Sequence, residues 1–185
     1  MRMILSSSFS NAFLGGIAVW AFLTQGSFLV WAAVIAWGCF FHTGGTADSL
    51  RITIAGNIWG VFCAWCAGLL LTVNPVSISA PLWAGLVVGC ITMIMVFVGH
   101  QMATHWRMGI VVVPACFYGA AATFAYMVQT PGRLTLHALL SFSPDNALIA
   151  VPVSMVIGAF LGFATAKMTV ALATTRTGSR ERLTT

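Results

Sequence analysis

Charge is what this sequence lacks. Only 6% of its 185 residues are Asp, Glu, Lys or Arg, against about 25% in an ordinary soluble domain. A surface so poor in charge would aggregate in water, so the solvent that suits it is lipid. Carboxylates are scarcer still. Asp48, Asp145 and Glu181 are the only three, none sits in the middle of an apolar run, and no two are close in sequence. A carboxylate relay across a bilayer is therefore missing. So is nucleotide and nucleophile chemistry: there is no Walker lysine loop, no dinucleotide glycine fingerprint and no nucleophile elbow. These absences argue against an enzyme, an ATP-driven pump and a carboxylate-coupled ion transporter. No cofactor is expected.

A disulfide framework is missing as well. The five cysteines, Cys39, Cys63, Cys66, Cys90 and Cys116, are odd in number and lie inside apolar runs. There they act as small hydrophobes. Cys63 and Cys66 form a C-x-x-C pair, and the chain has nine methionines, Met93 and Met95 among them. Sulfur of this kind suits Cu(I). Within an apolar helix it is also ordinary filler, which is the stronger reading, so no metal is expected. Arg2 and the apolar stretch behind it resemble a signal peptide only faintly. No convincing cleavage site follows, and the stretch is expected to remain as the first span.

What the chain does have is apolar length. Hydrophobic residues make up 59% of it. Apolar segments run near 9–24, 27–42, 50–73, 81–99, 108–128 and 147–172. Gln25 and Gly26 divide the first two, which as one helix would far exceed a bilayer. Six spans of about 20 residues consume roughly 120 residues. The expected fold is all-α, a polytopic membrane helix bundle of about six transmembrane helices. It comprises one transmembrane domain, 1–173, and a polar cytoplasmic tail, 174–185. Five spans is the rival count.

The basic residues choose between them. With six spans, Arg2, Arg51, Arg107, Lys167, Arg176, Arg180 and Arg182 fall on one side and Arg133 alone on the other. That bias places both termini in the cytoplasm; five spans would weaken it. The net charge of +5 is thus a topology and lipid-headgroup signal, and no nucleic-acid partner is expected. Between segments, the stretch 43–49 combines a glycine turn with helix-start chemistry, Thr46 or Asp48 serving as cap. The stretch 74–81 is uncharged and helix-breaking. In 129–146, Leu134, Leu136, Leu139, Leu140 and Phe142 suit a short interfacial or re-entrant helix.

Small residues recur at four-residue spacing. Gly56, Gly60, Ala64 and Gly68 form one ladder, Gly85 and Gly89 a second, and Ser154, Gly158, Gly162 and Ala166 a third. In lipid such ladders let helix backbones approach closely. They serve packing within one subunit or contact with a second copy, and a homo-oligomer is the expected assembly. Trp31, Trp83 and Trp106 fit an interfacial belt. Trp37, Trp59 and Trp65 lie deeper.

A few polar residues sit at awkward depths. Burying the Asn57 amide without partners costs a few kcal/mol, roughly, so it either bonds another helix or faces a solute path. His42 ends the second segment, as an interfacial histidine or a gate. His100, Gln101, His105 and Arg107 make a polar loop or a vestibule. Pro114, near Cys116 and Tyr118, interrupts the fifth segment and would free a carbonyl there. That marks a plain kink or a broken-helix solute site.

The run Trp37 to Trp65, with Phe40-Phe41, Gly44-Gly45, Leu50, Asn57, Gly60 and Ala64-Trp65, resembles small bacterial inner-membrane proteins of domain-of-unknown-function family 1097. So do Val113-Pro114 to Phe124 and the glycine pattern of Gly158 to Leu172. The resemblance implies a multi-pass protein of the bacterial inner membrane and no established activity. Residues 129–146 look longer than that family's pattern. A weaker likeness, in the order of tryptophan, double glycine, arginine and glycine, is to the membrane half of fusaric-acid-resistance and aromatic-acid exporters.

The expected function is a channel or facilitator for a small polar solute of the urea, amide, ammonia or small organic acid class. His42, Asn57, Trp59 and Pro114 are the expected path residues. Gly56, Gly60, Gly85, Gly89, Gly158 and Gly162 are the expected packing or oligomer residues. The alternative is an accessory or scaffolding membrane subunit.

Overall fold

The computed structural model describes residues 2–26, 28–75, 78–104 and 112–181, with side chains given from Met3 to Thr174. Every regular element among them is a helix. In chain order these are α1 (Arg2–Gln25), α2 (Val30–His42), α3 (Ala47–Thr72), α4 (Ala80–Thr104), α5 (Val113–Gln129), α6 (Leu136–Leu140) and α7 (Ala147–Glu181).

The helix ends follow the local chemistry. Gly26, at φ 66°, closes α1 where the sequence divides the first two segments. Gly44 and Gly45 take φ 113° and 67° and turn the chain between α2 and α3. Of the two candidate caps for α3, Thr46 is the one used: its hydroxyl accepts the Ser49 N–H at 3.2 Å. Pro114 does not interrupt a helix. It lies in the first turn of α5, where the missing N–H is no loss and the fixed φ suits the start of a helix. The proline inside a helix is Pro152, in α7. Residues 108–111 of the expected fifth segment lie outside the described residues, as do His105, Trp106, Arg107 and Arg182. The boundary expected at 173 does not end a helix, since α7 continues to Glu181.

Four stretches have the length and composition to cross a membrane: Met3–Gln25, Ala47–Thr72, Ala80–Thr104 and Ala147–Thr174. α2 has 13 residues and α5 has 17. At 1.5 Å per residue these span about 20 and 26 Å, short of a hydrocarbon core of about 30 Å.

Burial separates centre from rim. The apolar stretches of α3 and α7 are 44% buried, those of α1 and α4 only 17%. The centre is held by two seams, each built on a small-residue ladder. In the first, α3 lies against α5. A Cβ at Gly56 would overlap Ala115, one at Gly60 the Cys116 carbonyl, one at Gly119 the Asn57 carbonyl and one at Gly68 the Met127 thioether. In the second, α7 lies against α2. A Cβ at Gly158 would overlap the Ala33 carbonyl, and one at Gly162 would reach the Phe40 and Trp37 rings. The Ser154 hydroxyl, one step up that ladder, accepts the Leu29 N–H at 2.9 Å. Residue numbers rise together on both sides of each seam, so α3 runs parallel to α5 and α2 parallel to α7. α1 runs back along α7, since Leu5, Ser6 and Phe9 share a cleft with Leu172.

Gly85 and Gly89 behave differently. A Cβ at either would meet nothing within 4 Å. Their ladder looks outward from α4, alongside exposed Leu82, Leu86 and Met93.

Candidate functional site

Ser49, Thr53 and Asn57 are four residues apart and share one face of α3. All three are buried. Ser49 donates its hydroxyl to the Thr43 carbonyl at 2.8 Å. The Thr53 hydroxyl lies 3.2 Å from that of Thr43. Val61, the next residue on this face, is fully buried in an apolar cluster with Ala36 of α2, Ala122 of α5 and Met155 of α7. The face is therefore polar from the start of α3 as far as Asn57 and apolar beyond it.

Asn57 is 2% exposed, yet neither amide atom has a hydrogen-bond partner. An orphan amide at that burial costs about 1–3 kcal/mol. The Asn57 backbone packs against Gly119, so the seam is closed at this level. Among the described residues of the central helices, the Trp37 indole N–H is the other unpaired buried donor. Spacing placed both residues deep; that they would be unpaired could not be read from it.

His42 is exposed at the end of α2. Its Nδ1 lies 2.9 Å from the Tyr118 hydroxyl, with the two rings edge to face. The contact ties the end of α2 to α5. Sequence reasoning gave Tyr118 no role, because no spacing rule links helices 76 residues apart.

Trp59 points elsewhere. Its indole donates to the Met95 carbonyl of α4 at 3.0 Å. Phe62 stacks on it, and Trp65 stacks on Phe62. Trp59 lines a cleft of about 530 Å³ with Ile58, Phe62, Met102, Leu148 and Pro152. Pro152 lacks the N–H that would bond the Leu148 carbonyl. The freed carbonyl expected near Pro114 thus belongs to Leu148, on the wall of this cleft. Pro114 itself is exposed at the start of α5, so the structure does not bring it together with Asn57.

A second cleft, of about 200 Å³, opens between α3, α4 and α5 and includes Cys63, Thr92, Met95 and Phe124. Asn57 lines neither cleft. Cys63 is buried, Cys66 half-buried, and both are free thiols. Among the described residues no three of His, Cys, Asp and Glu converge on a metal-sized space.

At the opposite end of the bundle, Arg133 and Asp145 pair at 2.8 Å. That bond holds the Arg133 guanidinium still more firmly protonated. Arg133 also lies 5.8 Å from the centre of the Tyr126 ring, and the Tyr126 hydroxyl donates to the Asp145 carbonyl.

A helical bundle with membrane-length apolar helices, joined by glycine seams around buried polar groups, defines an integral membrane protein. Within that class, the chain belongs to the family described as Protein of unknown function (DUF1097), whose model matches residues 8–170. No curated protein and no solved structure matches it. The weaker likeness to fusaric-acid-resistance exporters gains no support from these comparisons.

Proposed function

We propose that this protein is a six-pass channel or facilitator for a small, neutral or weakly charged polar solute, in the bacterial inner membrane with both termini in the cytoplasm. The observation that carries the reading is the buried, unpartnered amide of Asn57. A site that tolerates such a cost has a use for a free donor and acceptor. A passing urea, amide, ammonia or small acid supplies the missing partners. Ser49 and Thr53 lead to Asn57, and His42 stands at the mouth. Passive flow needs neither ATP nor a coupling carboxylate.

The six-pass count is supported by helix direction. Parallel α3 and α5, parallel α2 and α7, and α1 running back along α7 fit helices that alternate through the bilayer. In this arrangement the short α2 and α5 cross where their longer partners flank them.

The test is osmotic swelling of proteoliposomes with urea, acetamide, glycerol, ammonium and acetate. Accelerated entry of one class, lowered by Asn57→Leu in a correctly inserted protein, is the expected result. Equal flux in Asn57→Leu would remove Asn57 from the path.

A second reading is favoured by a different observation. The seam at Asn57 is closed against Gly119, while the Gly85–Gly89 face stands open. A non-transporting accessory subunit that docks a partner or a second copy through α4 would look like this. No accelerated entry of any solute, with insertion and assembly verified, would favour it.

A further inference from the structure

The segment between α5 and α7, whose leucines suit an interfacial or re-entrant helix, packs below the end of α3. The Leu139 carbonyl accepts the Trp65 indole N–H at 3.0 Å. The Leu139 side chain lies over Gly68, beside Met127. Trp65 stands about 10 Å before the end of α3 at Thr72, at 1.5 Å per residue. The segment therefore descends alongside α3 by nearly two helical turns.

Its backbone is sealed for such a place. The Thr135 hydroxyl accepts the Ala138 N–H. The Asn146 amide donates to the carbonyls of Leu139 and Ser141, both at 2.8 Å. The same side chain accepts the Leu148 N–H at 2.9 Å. Irregular backbone survives at membrane depth only when its polar groups are satisfied within the protein. Its side chains also sort by direction. Ala138 and Leu139 are buried, while Leu136, Leu140 and Phe142 are exposed, Phe142 completely, with the polar Thr135 and His137 exposed beside them. From Leu134 to Phe142 the segment carries no Asp, Glu, Lys or Arg. Val128, near the end of α5, is exposed as well.

We infer that residues 134–142 form a re-entrant segment seated in the boundary between headgroups and acyl chains, with Leu136, Leu140 and Phe142 in contact with lipid. The inference rests on α3 crossing the membrane and is independent of any solute. Arg133 and Asp145 close the segment at its aqueous side, and Asn146 fixes its return into α7.

The test is fluorescence quenching in phosphatidylcholine vesicles. Cys90 and Cys66 are replaced by Ala, and an environment-sensitive dye is attached to Phe142→Cys or, separately, to Leu140→Cys. The expected result is blue-shifted emission that is lost with nitroxides on the acyl chains and little affected by aqueous iodide. Loss of emission to iodide but not to acyl nitroxide would overturn the inference in favour of a water-facing loop. Shielding from both quenchers would overturn it in favour of a second copy or another protein covering the face. Leu136→Cys provides a third labelling position should either variant fail to insert.

Discussion

At Asn57 the interests of stability and of the proposed function diverge. Leu has the same branching and number of side-chain heavy atoms, and no polar atoms to leave unpaired. Asn57→Leu is therefore expected to raise the melting temperature in detergent, by an amount corresponding to about 1–3 kcal/mol, while lowering solute flux. A fall in melting temperature would mean that the amide has a partner in the protein or that the bulkier leucine overpacks the seam. The glycines make a sharper contrast. Gly158→Ala pushes a methyl into the Ala33 carbonyl and is expected to cost about 1–3 kcal/mol through overpacking. Gly85→Ala meets nothing and is expected to be neutral or stabilising, since Ala favours a helix over Gly by about 1 kcal/mol. Thermal unfolding of both variants checks the difference. A large loss at Gly85 would mean that the α4 face is packed against something in the assembled protein. Spacing made both ladders visible in the sequence. It could not tell them apart, because a small-residue repeat permits close approach without naming the helix that approaches.

Among the helices, the boundaries set by a strong local signal were readable and those set by packing were not. Gly26 and Thr46 carry their own conformational reasons, and α1 and α3 end and begin at them. The run 108–128 reads as one continuous apolar stretch, which put Pro114 in mid-helix. With α5 starting at Val113, the same proline suits a first turn. Pro152 leaves little trace in the sequence, because the residues around it are apolar and the run has no break. The short α6 was foreshadowed by its leucines. The clamp that holds it, Trp65 and Asn146 on the Leu139 carbonyl, joins residues far apart in sequence and leaves no local trace. The Thr46 cap gives a test at this scale. Thr46→Ala is expected to cost about 1 kcal/mol, seen as faster hydrogen exchange in the first turn of α3. Unchanged exchange there would mean that Asp48 takes over the cap.

In the molecule as a whole, protection should follow burial. Amide exchange in α3 and α7 is expected to be slower than in α1 and α4, whose apolar stretches are far less buried. The comparison belongs in detergent, where the rim helices lose the lipid that backs them. Equal protection across all four would point to an assembly that covers the rim. The helical membrane class was plain from composition alone, because so little charge leaves few other solvents. Which helices form the centre was not, since α4 is more apolar than α3 and yet lies at the rim.

The parallel seams bear on how the protein is made. Two parallel helices cannot be neighbours in an alternating chain. The ladder on α3 has to wait until α4 has been threaded and α5 has arrived. The Ala33, Trp37 and Phe40 face of α2 waits for the ladder on α7 to reach it. During synthesis that face of α2 is open to lipid or to whatever else the translocation machinery presents. The newly made protein would therefore spend its most vulnerable interval with α2 unclaimed.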